Sequence, residues 1–556
     1  MPPIDTLDGP RFALRGRVVT MNARDSVLED GVLYIDRGVI DAVLPAIAAP
    51  PEGYEDVVPA ESGGTLYPGL IELHNHLAYD VLELWQVPRR FTNRSQWGGS
   101  SNPDYGRLVT GPMQVLGRDP EAMPAVVRYV EAKALVNGTT TSQGIALFSN
   151  AGSRRMYRGV VRNIEATDDP ALPEAKSRIA DVEAADARRF LARLQGPNRL
   201  FLHLAEGVDA RARKHFLALE FEPGRWAITD NLVGIHCAAL TAEDFGVLAG
   251  HGGSMVWSPL SNLLLYGGTA DIAAAKAAGL LIGLGSDWSV SGSKGLLGEL
   301  KAARLAADLA AERDPTRGGP VLSDRELVVM ATRDAARILR WDRVLGSLEP
   351  GKRADLIAVA GAAGDPYGAL VGARDVDITL VAVDGVPRYG TTRLMEALTP
   401  DPGDLEFLAK QAPQDRAVQL RQASADPVVA GLTLADAADR LTAALATLPA
   451  RAARERDAGT ALGGPIGSTP RWNLALDEIQ STGSELRHRL PLPHSAARTP
   501  SGPVIDAAGE VAEEDVSDAL ELDALTAALH PDFLESLRTQ VNLPPSYGTR
   551  LSGLLT

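Results

Sequence analysis

The sequence has little cysteine, few aromatic residues and no long apolar run. It contains one cysteine, Cys237, among 556 residues, which excludes an internal disulfide and a cysteine-rich zinc site. Because no run of about 18 apolar residues occurs, no membrane-spanning helix is expected. The first residues show neither the basic nor the apolar segment of a signal peptide, so we expect a cytoplasmic protein that does not contact a membrane.

Basic residues are scarce as well. The chain carries 55 lysines and arginines against 71 aspartates and glutamates, which gives a net charge of −16. A nucleic-acid-binding surface needs clustered positive charge, so we expect no nucleic-acid partner. Hydrophobic residues make up 45% of the chain, as in ordinary globular proteins, so a sizeable core can form.

The two flanks of the first 395 residues are rich in short β-forming runs. Residues 11–60 hold three such runs separated by turns, and a hairpin about Asp384-Gly385 follows later. We expect residues 1–65 and 341–395 to fold together as a small composite β-sandwich domain.

The segment between them, 66–340, alternates apolar runs of strand length with helical segments such as 174–194. This alternation predicts a parallel sheet, and its length favours an α/β fold of the (β/α)8 TIM-barrel type. Seven strands can be placed, and the segment 145–158 could contain another. The predicted strands are 70–76, 139–143, 160–165, 200–206, 232–237, 254–258 and 280–287.

Residues 396–556 have a different pattern and carry no motif that indicates chemistry. Helices are predicted around 404–422, 433–455, 471–489 and 515–540, with a loose linker at 491–503. We expect a C-terminal helical extension that serves packing or oligomerisation, with a lid over the active site as the alternative.

The pair His74 and His76 lies at the end of the first predicted barrel strand. Side chains two apart on a strand point to the same face, so both imidazoles are aimed at one point. Neutral imidazole suits divalent transition metals, and two of them on a rigid strand form half of a tetrahedral site. On the pair alone, two unrelated surface histidines are an equally good interpretation.

Three further predicted strands also end in ionisable residues. His203 and Glu206 end one strand, His236 ends the next, and Asp287 ends the last. A buried strand that finishes in an ionisable group costs free energy unless the group is used or paired. Since active sites of barrels lie at the carboxyl ends of the strands, these residues are candidates for one site.

These motifs resemble those of the amidohydrolase superfamily of metal-dependent hydrolases, over about residues 11–390. The His-X-X-Glu pattern at His203 and Glu206 is most similar to the branch with cytosine deaminase, guanine deaminase and the triazine hydrolases. The matching segments are 68–76, 138–141, 203–206, 236, 258–262, 285–287 and 346–356.

The resemblance implies a hydrolase of a non-peptide carbon–nitrogen bond in a small cyclic or aromatic molecule, of the deaminase type. The alternatives are hydrolysis of an amide, a cyclic imide or a carbamate, and a scaffold that has lost catalysis. It also implies a homodimer or a higher homo-oligomer.

The resemblance further implies that four residues ligate one divalent metal ion: His74, His76, His203 and Asp287. Zinc is the first choice, with iron or manganese as alternatives. Such a metal lowers the pKa of bound water. Asp287 would accept the water's proton and His236 would polarise the attacking oxygen. Glu206 would carry protons to a ring nitrogen and then to the leaving amine.

Members of the superfamily with two metals carry a carboxylated lysine on the fourth strand. The corresponding run here, 159–165, contains no lysine. Glu165 is the one residue considered as a bridge to a second metal ion.

The long loop 78–119 offers Asn93 and Trp97 as substrate-binding residues. Other residues at strand ends are assigned the same role: Gln143, Ser258, Asn262 and Trp288.

Overall fold

The computed structural model describes residues 10–98, 102–149, 153–179, 186–313, 320–408, 415–458, 471–476 and 518–556. At its centre lie eight short strands in a TIM barrel-type α/β arrangement, paired in parallel within one group of three and one group of five. The strands are Leu70–Ile71, Thr139–Ser142, Arg162–Asn163, Ala175–Ile179, Arg199–Leu204, Leu232–His236, Ser254–Trp257 and Leu281–Leu284.

Backbone hydrogen bonds connect the two groups of strands at both junctions. The Ala175 amide donates to the Ile164 carbonyl at 2.8 Å, which links the third strand to the fourth. The Leu73 amide donates to the Leu284 carbonyl at 3.1 Å, which links the first strand to the eighth. The carboxyl ends of all eight strands therefore face the same end of the molecule.

Helices follow the barrel strands or extend the loops between them. A π-helical turn, Gly106–Thr110, joins the first two helices. The helices up to residue 372 are Pro103–Tyr105, Gly111–Arg118, Ala122–Val136, Ala187–Leu194, Ala210–Leu217, Ala242–Gly250, Pro259–Tyr266, Ile272–Ala277, Leu296–Arg313, Asp324–Ala331, Arg333–Leu339 and Pro366–Gly372.

The fourth barrel strand corrects two predictions. The segment 174–194, predicted as one helix, contains the strand Ala175–Ile179 and a shorter helix, Ala187–Leu194. The segment 145–158 supplies no barrel strand, since it forms an antiparallel hairpin of Ala146–Ser149 and Arg154–Met156. Alanine, lysine and arginine favour helices, but pairing with the fifth strand decides the conformation here.

Strands from both flanks form one nine-stranded sheet beside the barrel. Ala60–Pro68 connects the flanks, because it pairs with Phe12–Val19 on one side and Leu356–Ala360 on the other. The remaining strands are Val27–Asp36, Val39–Pro45, Ile378–Val383, Val386–Thr391, Glu406–Leu408 and Arg416–Val418. The last two lie past residue 395, so the predicted boundary there is too early and the predicted helix 404–422 is wrong.

The C-terminal region is only partly helical within the described residues. The predicted helix 433–455 is present as two helices that meet at Thr447. The predicted linker 491–503 lies within 477–517, which is outside the described residues. The described part of the predicted helix 471–489 contains the strand Trp472–Leu474. In the described part of the predicted helix 515–540, the helix is Pro531–Thr539. The helices are Thr392–Leu398, Leu434–Ala446, Leu448–Ala458, Pro531–Thr539 and Tyr547–Leu555. None of the described helices combines the length and apolar character that crossing a bilayer needs.

The C-terminal segment 518–556 lies along the loop that follows His76. The Gln540 side chain accepts from the Val87 amide at 3.3 Å and donates to the Trp85 carbonyl at 2.9 Å. The Asn542 amide group donates to the Arg89 carbonyl at 3.0 Å. This segment therefore fixes the course of the loop over residues 85–89.

Asp523 anchors this segment inside the protein. Its carboxylate, 1% exposed, accepts hydrogen bonds from the buried ammonium groups of Lys133 and Lys294. Lys133 also donates to the Asp80 carbonyl at 2.7 Å, which ties the anchor to the loop after His76. Burial by itself would raise the pKa of Asp523, but the two lysines outweigh it and hold this pKa well below its usual range.

We predict that Asp523→Asn lowers the free energy of unfolding by about 3–5 kcal/mol at neutral pH, because two buried ammonium groups lose their counter-charge. A carboxylate with a lowered pKa stabilises the fold above about pH 4 and loses this contribution in more acidic solution. The difference between wild type and variant should therefore shrink below that pH. Urea unfolding at several pH values measures this.

The control is Asp30→Asn, which breaks an exposed ion pair with Arg15 and should change stability far less. Equal destabilisation by the two substitutions would contradict the anchoring role of Asp523.

Candidate metal centre

The first and eighth barrel strands meet beyond their regular ends. The Asp287 amide donates to the His74 carbonyl at 3.1 Å, and the His76 amide donates to the Asp287 carbonyl at 2.6 Å. A side chain at position 285 would place its Cβ 2.5 Å from the His74 carbonyl oxygen, so only Gly285 allows this approach. The pairing places His74, His76 and Asp287 side by side.

Side chains alternate between the two faces of the first strand, so His74 and His76 lie on one face and Asn75 lies on the other. The His74 and His76 rings lie on one face, with centroids 4.8 Å apart, as the sequence predicts. Asn75 points the other way, and its amide donates to Glu72 at 3.1 Å and to Asp80 at 3.2 Å. This network holds the His-X-His segment from behind.

Histidines from two more strands complete the cluster. The His203 ring lies 4.8 Å from that of His74 and 5.5 Å from that of His76, and the His236 ring lies 5.3 Å from that of His74. Asp287 Oδ1 lies 3.0 Å from His74 Nε2 and 3.4 Å from His76 Nε2. Within this cluster, two sets of three residues bring all their ligand atoms within 4.8 Å of one another. They are His74, His76 and Asp287, and His74, His203 and His236.

The backbone is left-handed at the end of three of these strands, at residues other than glycine. The φ angles are +51° at Ala205, +68° at His236 and +69° at Asp287. Such conformations cost free energy and cluster at functional sites. Here they turn the strand ends so that the side chains converge.

The hydrogen bonds of His74 show that this cluster suits a cation. The Gln143 Oε1 atom accepts from the Asn75 amide and lies 3.2 Å from His74 Nδ1, so His74 donates through Nδ1. Neutral His74 then presents an unprotonated Nε2 to the Asp287 carboxylate. A lone pair facing a carboxylate at 3.0 Å is repulsive unless a cation lies between them.

Burial favours the neutral form of His74, His203 and His236, which is the form that metal binding requires. It lowers the pKa of His74 and of His203, and it lowers the pKa of His236 to about 3. Burial would raise the pKa of Asp287, but positive charge placed among the nearby histidines lowers it well below its usual range. The cluster therefore offers neutral nitrogens and one ionised carboxylate at neutral pH.

Glu206 lies beside this cluster, next to His236. Its Oε2 atom is 3.8 Å from His236 Nε2 and 3.6 Å from Arg94 Nε. Its Oε1 atom accepts a hydrogen bond from the Tyr266 hydroxyl at 2.7 Å. The carboxylate is thus held at a fixed position between a cation and a neutral imidazole.

The residues predicted to bind substrate have diverse contacts. Trp288 and Trp97 belong to a buried aromatic cluster next to His76, with the Trp288 ring 5.5 Å from the His76 ring. Asn262 donates to His236 Nδ1 at 3.0 Å. The Asn93 amide donates to Asp209 at 2.6 Å.

Gln143 and Ser258, two more of the predicted substrate-binding residues, follow barrel strands. Gln143 contacts His74, as described above. The Ser258 hydroxyl is buried and finds no hydrogen-bond partner in the part of the chain that the structure describes. An unsatisfied buried hydroxyl at a strand end is a position at which a substrate group could bond.

The run 159–165 belongs to the third strand, not the fourth. The fourth strand does contain a lysine, Lys176, but its side chain is 49% exposed and pairs with Glu174. The Glu165 carboxylate accepts from Ser177 and from the Gly144 amide at 3.1 Å, and none of the described ligand clusters includes it.

The sequence interpretation missed Tyr266, Thr269 and Trp257. Tyr266 donates to Glu206, while Trp257 donates to Thr269 and Thr269 to Asn262. The Pro259–Tyr266 helix carries both Asn262 and Tyr266, at a spacing of four residues that puts them on one face. Only that spacing after a strand end could have indicated their role.

A model of the amidohydrolase family matches residues 209–388. The chain is 35% identical over 383 residues to a 5-methylthioadenosine/S-adenosylhomocysteine deaminase of Desulfitobacterium hafniense, covering 63% of this chain and 84% of the relative. It is 26% identical over 387 residues to the enzyme of that name from Symbiobacterium thermophilum, covering 62% and 84%.

A solved structure shares the fold. The guanine deaminase from Bradyrhizobium japonicum superposes with a TM-score of 0.51 at 17% identity, and the match covers 68% of this chain and 98% of that one. These matches leave out about a third of this chain.

We predict that purified protein holds about one divalent metal ion per chain. His74→Ala should lose nearly all of it, because the substitution removes the nitrogen that faces Asp287. Elemental analysis of both proteins measures the content.

His251→Ala is the matched control, since His251 is exposed at a helix end and bonds the Val247 carbonyl. Unchanged metal in His74→Ala, or a wild type that stays empty after metal is added, would contradict the assignment.

Proposed function

Because the chain belongs to the amidohydrolase family, it is a metal-dependent hydrolase of a carbon–nitrogen bond in a small molecule, and we propose that it deaminates an aromatic nitrogen heterocycle. The observation that carries this proposal is the position of Glu206, a buried carboxylate whose Oε2 atom is 3.8 Å from His236 Nε2. Removal of an amine needs a group that gives protons to the leaving nitrogen, and Glu206 is placed for this.

We propose that four residues hold the ion: His74, His76, His203 and Asp287. Three neutral nitrogens and one carboxylate suit zinc, and the same donors accept iron or manganese. When bound, the ion would supply Lewis acidity that lowers the pKa of a water molecule.

The proton-handling groups have distinct positions. Asp287 accepts the Ser261 hydroxyl at 2.6 Å through Oδ2, so its Oδ1 atom is the one turned to the cluster and to a reacting water. The neutral imidazole of His236 faces the same space with its Nε2 atom. Glu206 receives a proton and passes it to the heterocycle and its leaving amine.

The aromatic side chains near the cluster support a flat substrate. The Trp97 and Trp288 rings are 6.1 Å apart, and Tyr105 lies 5.3 Å from Trp97 and 6.3 Å from Trp288. All three rings are buried, and Trp288 connects them to His76. A heterocycle that binds beside His76 would stack against this cluster. Relatives named for the deamination of adenine nucleosides make such nucleosides the first substrates to test.

The closure of the barrel, the domain boundaries and the oligomeric state are also part of the proposal. We propose a closed (β/α)8 barrel, supported by the hydrogen bond between the first and eighth strands, with the nine-stranded sheet as a separate flanking domain. We also propose the four domain ranges predicted from the sequence, with the boundary between the flanking sheet and the C-terminal extension moved past residue 418. The same proposal includes a homo-oligomeric state.

We predict ammonia release from 5-methylthioadenosine or S-adenosylhomocysteine by the metal-loaded protein. Glu206→Gln keeps the size of the side chain but cannot carry a proton, so kcat should fall by about 10²–10⁴-fold. Ammonia release and metal content are measured on both proteins.

Glu222→Gln is the matched control, because the Glu222 side chain is 37% exposed and forms ion pairs only with Arg188 and Arg225 among the described residues. Release of a carboxylic acid without ammonia, from amide or imide substrates, would contradict deamination. So would full activity of a metal-loaded Glu206→Gln protein.

A further inference from the structure

One helix contacts all three proton-handling residues of the site. The Pro259–Tyr266 helix follows the seventh barrel strand and is buried along its whole length. Its side chains donate one hydrogen bond to each group. The three pairs are Ser261 with Asp287 at 2.6 Å, Asn262 with His236 at 3.0 Å, and Tyr266 with Glu206 at 2.7 Å.

The Tyr266 hydrogen bond has a fixed direction. The Trp97 indole can only donate, and its Nε1 atom donates to the Tyr266 oxygen at 2.7 Å. The Tyr266 proton is therefore directed at Glu206. Burial, together with the Glu206 carboxylate, raises the pKa of Tyr266 well above its ordinary value, so the hydroxyl keeps that proton.

The Asn262 hydrogen bond is set by a second indole. Trp257 Nε1 donates to the Thr269 hydroxyl oxygen at 2.8 Å, and Thr269 donates to the Asn262 oxygen at 3.2 Å. With its oxygen occupied, Asn262 turns its NH₂ group to His236 Nδ1. A neutral His236 that accepts at Nδ1 carries its proton on Nε2.

The opposite orientation of the Asn262 amide has a clear cost. Thr269 would then accept from both Trp257 and Asn262, and its own proton would lose the acceptor that it has in the Asn262 oxygen. His236 would donate through Nδ1 and present a lone pair at Nε2. In that arrangement His236 would be a metal ligand and could not donate to the reaction.

We propose that the Pro259–Tyr266 helix is the positioning element of the active site. Asn262 holds His236 as the Nε2–H tautomer, which makes it a donor, and Tyr266 holds the Glu206 carboxylate towards the leaving group. The role of Glu206 rests on the proposed deamination, whereas the tautomer of His236 does not.

Nitrogen NMR tests the tautomer without any substrate. Protein labelled with ¹⁵N-histidine and loaded with zinc is compared with His236→Gln to assign the His236 ring among the nine histidines. We expect a protonated Nε2 and a bare Nδ1 in wild type. Asn262→Asp places an acceptor at Nδ1, so the Nδ1 atom should gain a proton.

A wild-type spectrum with a protonated Nδ1 would overturn the tautomer assignment. So would an Asn262→Asp protein that is folded and zinc-loaded yet keeps the wild-type pattern.

A pair of substrates tests Tyr266. Hydrolysis of the amine breaks the C–N bond, and the nitrogen leaves as ammonia after it gains a proton. In the 6-chloro counterpart, water oxygen bonds to the same carbon and chloride leaves with the electron pair, so the leaving group needs no proton. Tyr266→Phe should lower kcat for 5-methylthioadenosine by about 10–100-fold, with a smaller loss for the chloride and little change in KM.

Tyr547→Phe is the control, because this buried tyrosine bonds the Ala302 carbonyl far along the chain from Glu206. Equal losses on both substrates in Tyr266→Phe would mean a purely structural role and would overturn the positioning of Glu206. If wild type turns over neither substrate, deamination of this substrate fails, while the NMR result still decides the role of the helix at His236.

Discussion

The site depends on the repulsion between an imidazole lone pair and a carboxylate held 3.0 Å apart. The ends of the first and eighth strands pair through their backbones, and Gly285 lets them approach closely enough. Gln143 fixes the proton of His74 on Nδ1, so Nε2 faces Asp287 without a proton between them. Only a cation makes this arrangement favourable, and the other histidines gather around the same point.

The surroundings of the cluster serve to keep it in place. Asn75 joins the His-X-His segment to buried acidic side chains behind it, and the Pro259–Tyr266 helix holds the groups in front. The C-terminal segment, anchored by Asp523, fixes the loop that runs from His76 towards the aromatic cluster. The C-terminal segment, to which the sequence analysis assigned no chemical role, therefore stabilises this loop.

The sequence predicted the residues of the histidine cluster more accurately than it predicted the strands and helices that carry them. Period-two alternation placed His74 and His76 on one face, and strand ends indicated His203, His236 and Asp287. The fourth strand was missed because Ala175–Ile179 contains residues that favour helices, and only pairing with distant strands makes it extended. Tyr266 and Thr269 were missed because their roles depend on contacts with Trp97 and Trp257, which local sequence cannot show.

The most direct test is the position of the metal ion itself. Crystals of purified protein, with diffraction recorded at the absorption edge of the metal, locate the ion by its anomalous signal. We predict one peak about 2.0–2.2 Å from ligand atoms of His74, His76, His203 and Asp287, with His236 outside the coordination sphere. A peak bound to His236 in place of His76, or none between His74 and Asp287, would contradict it.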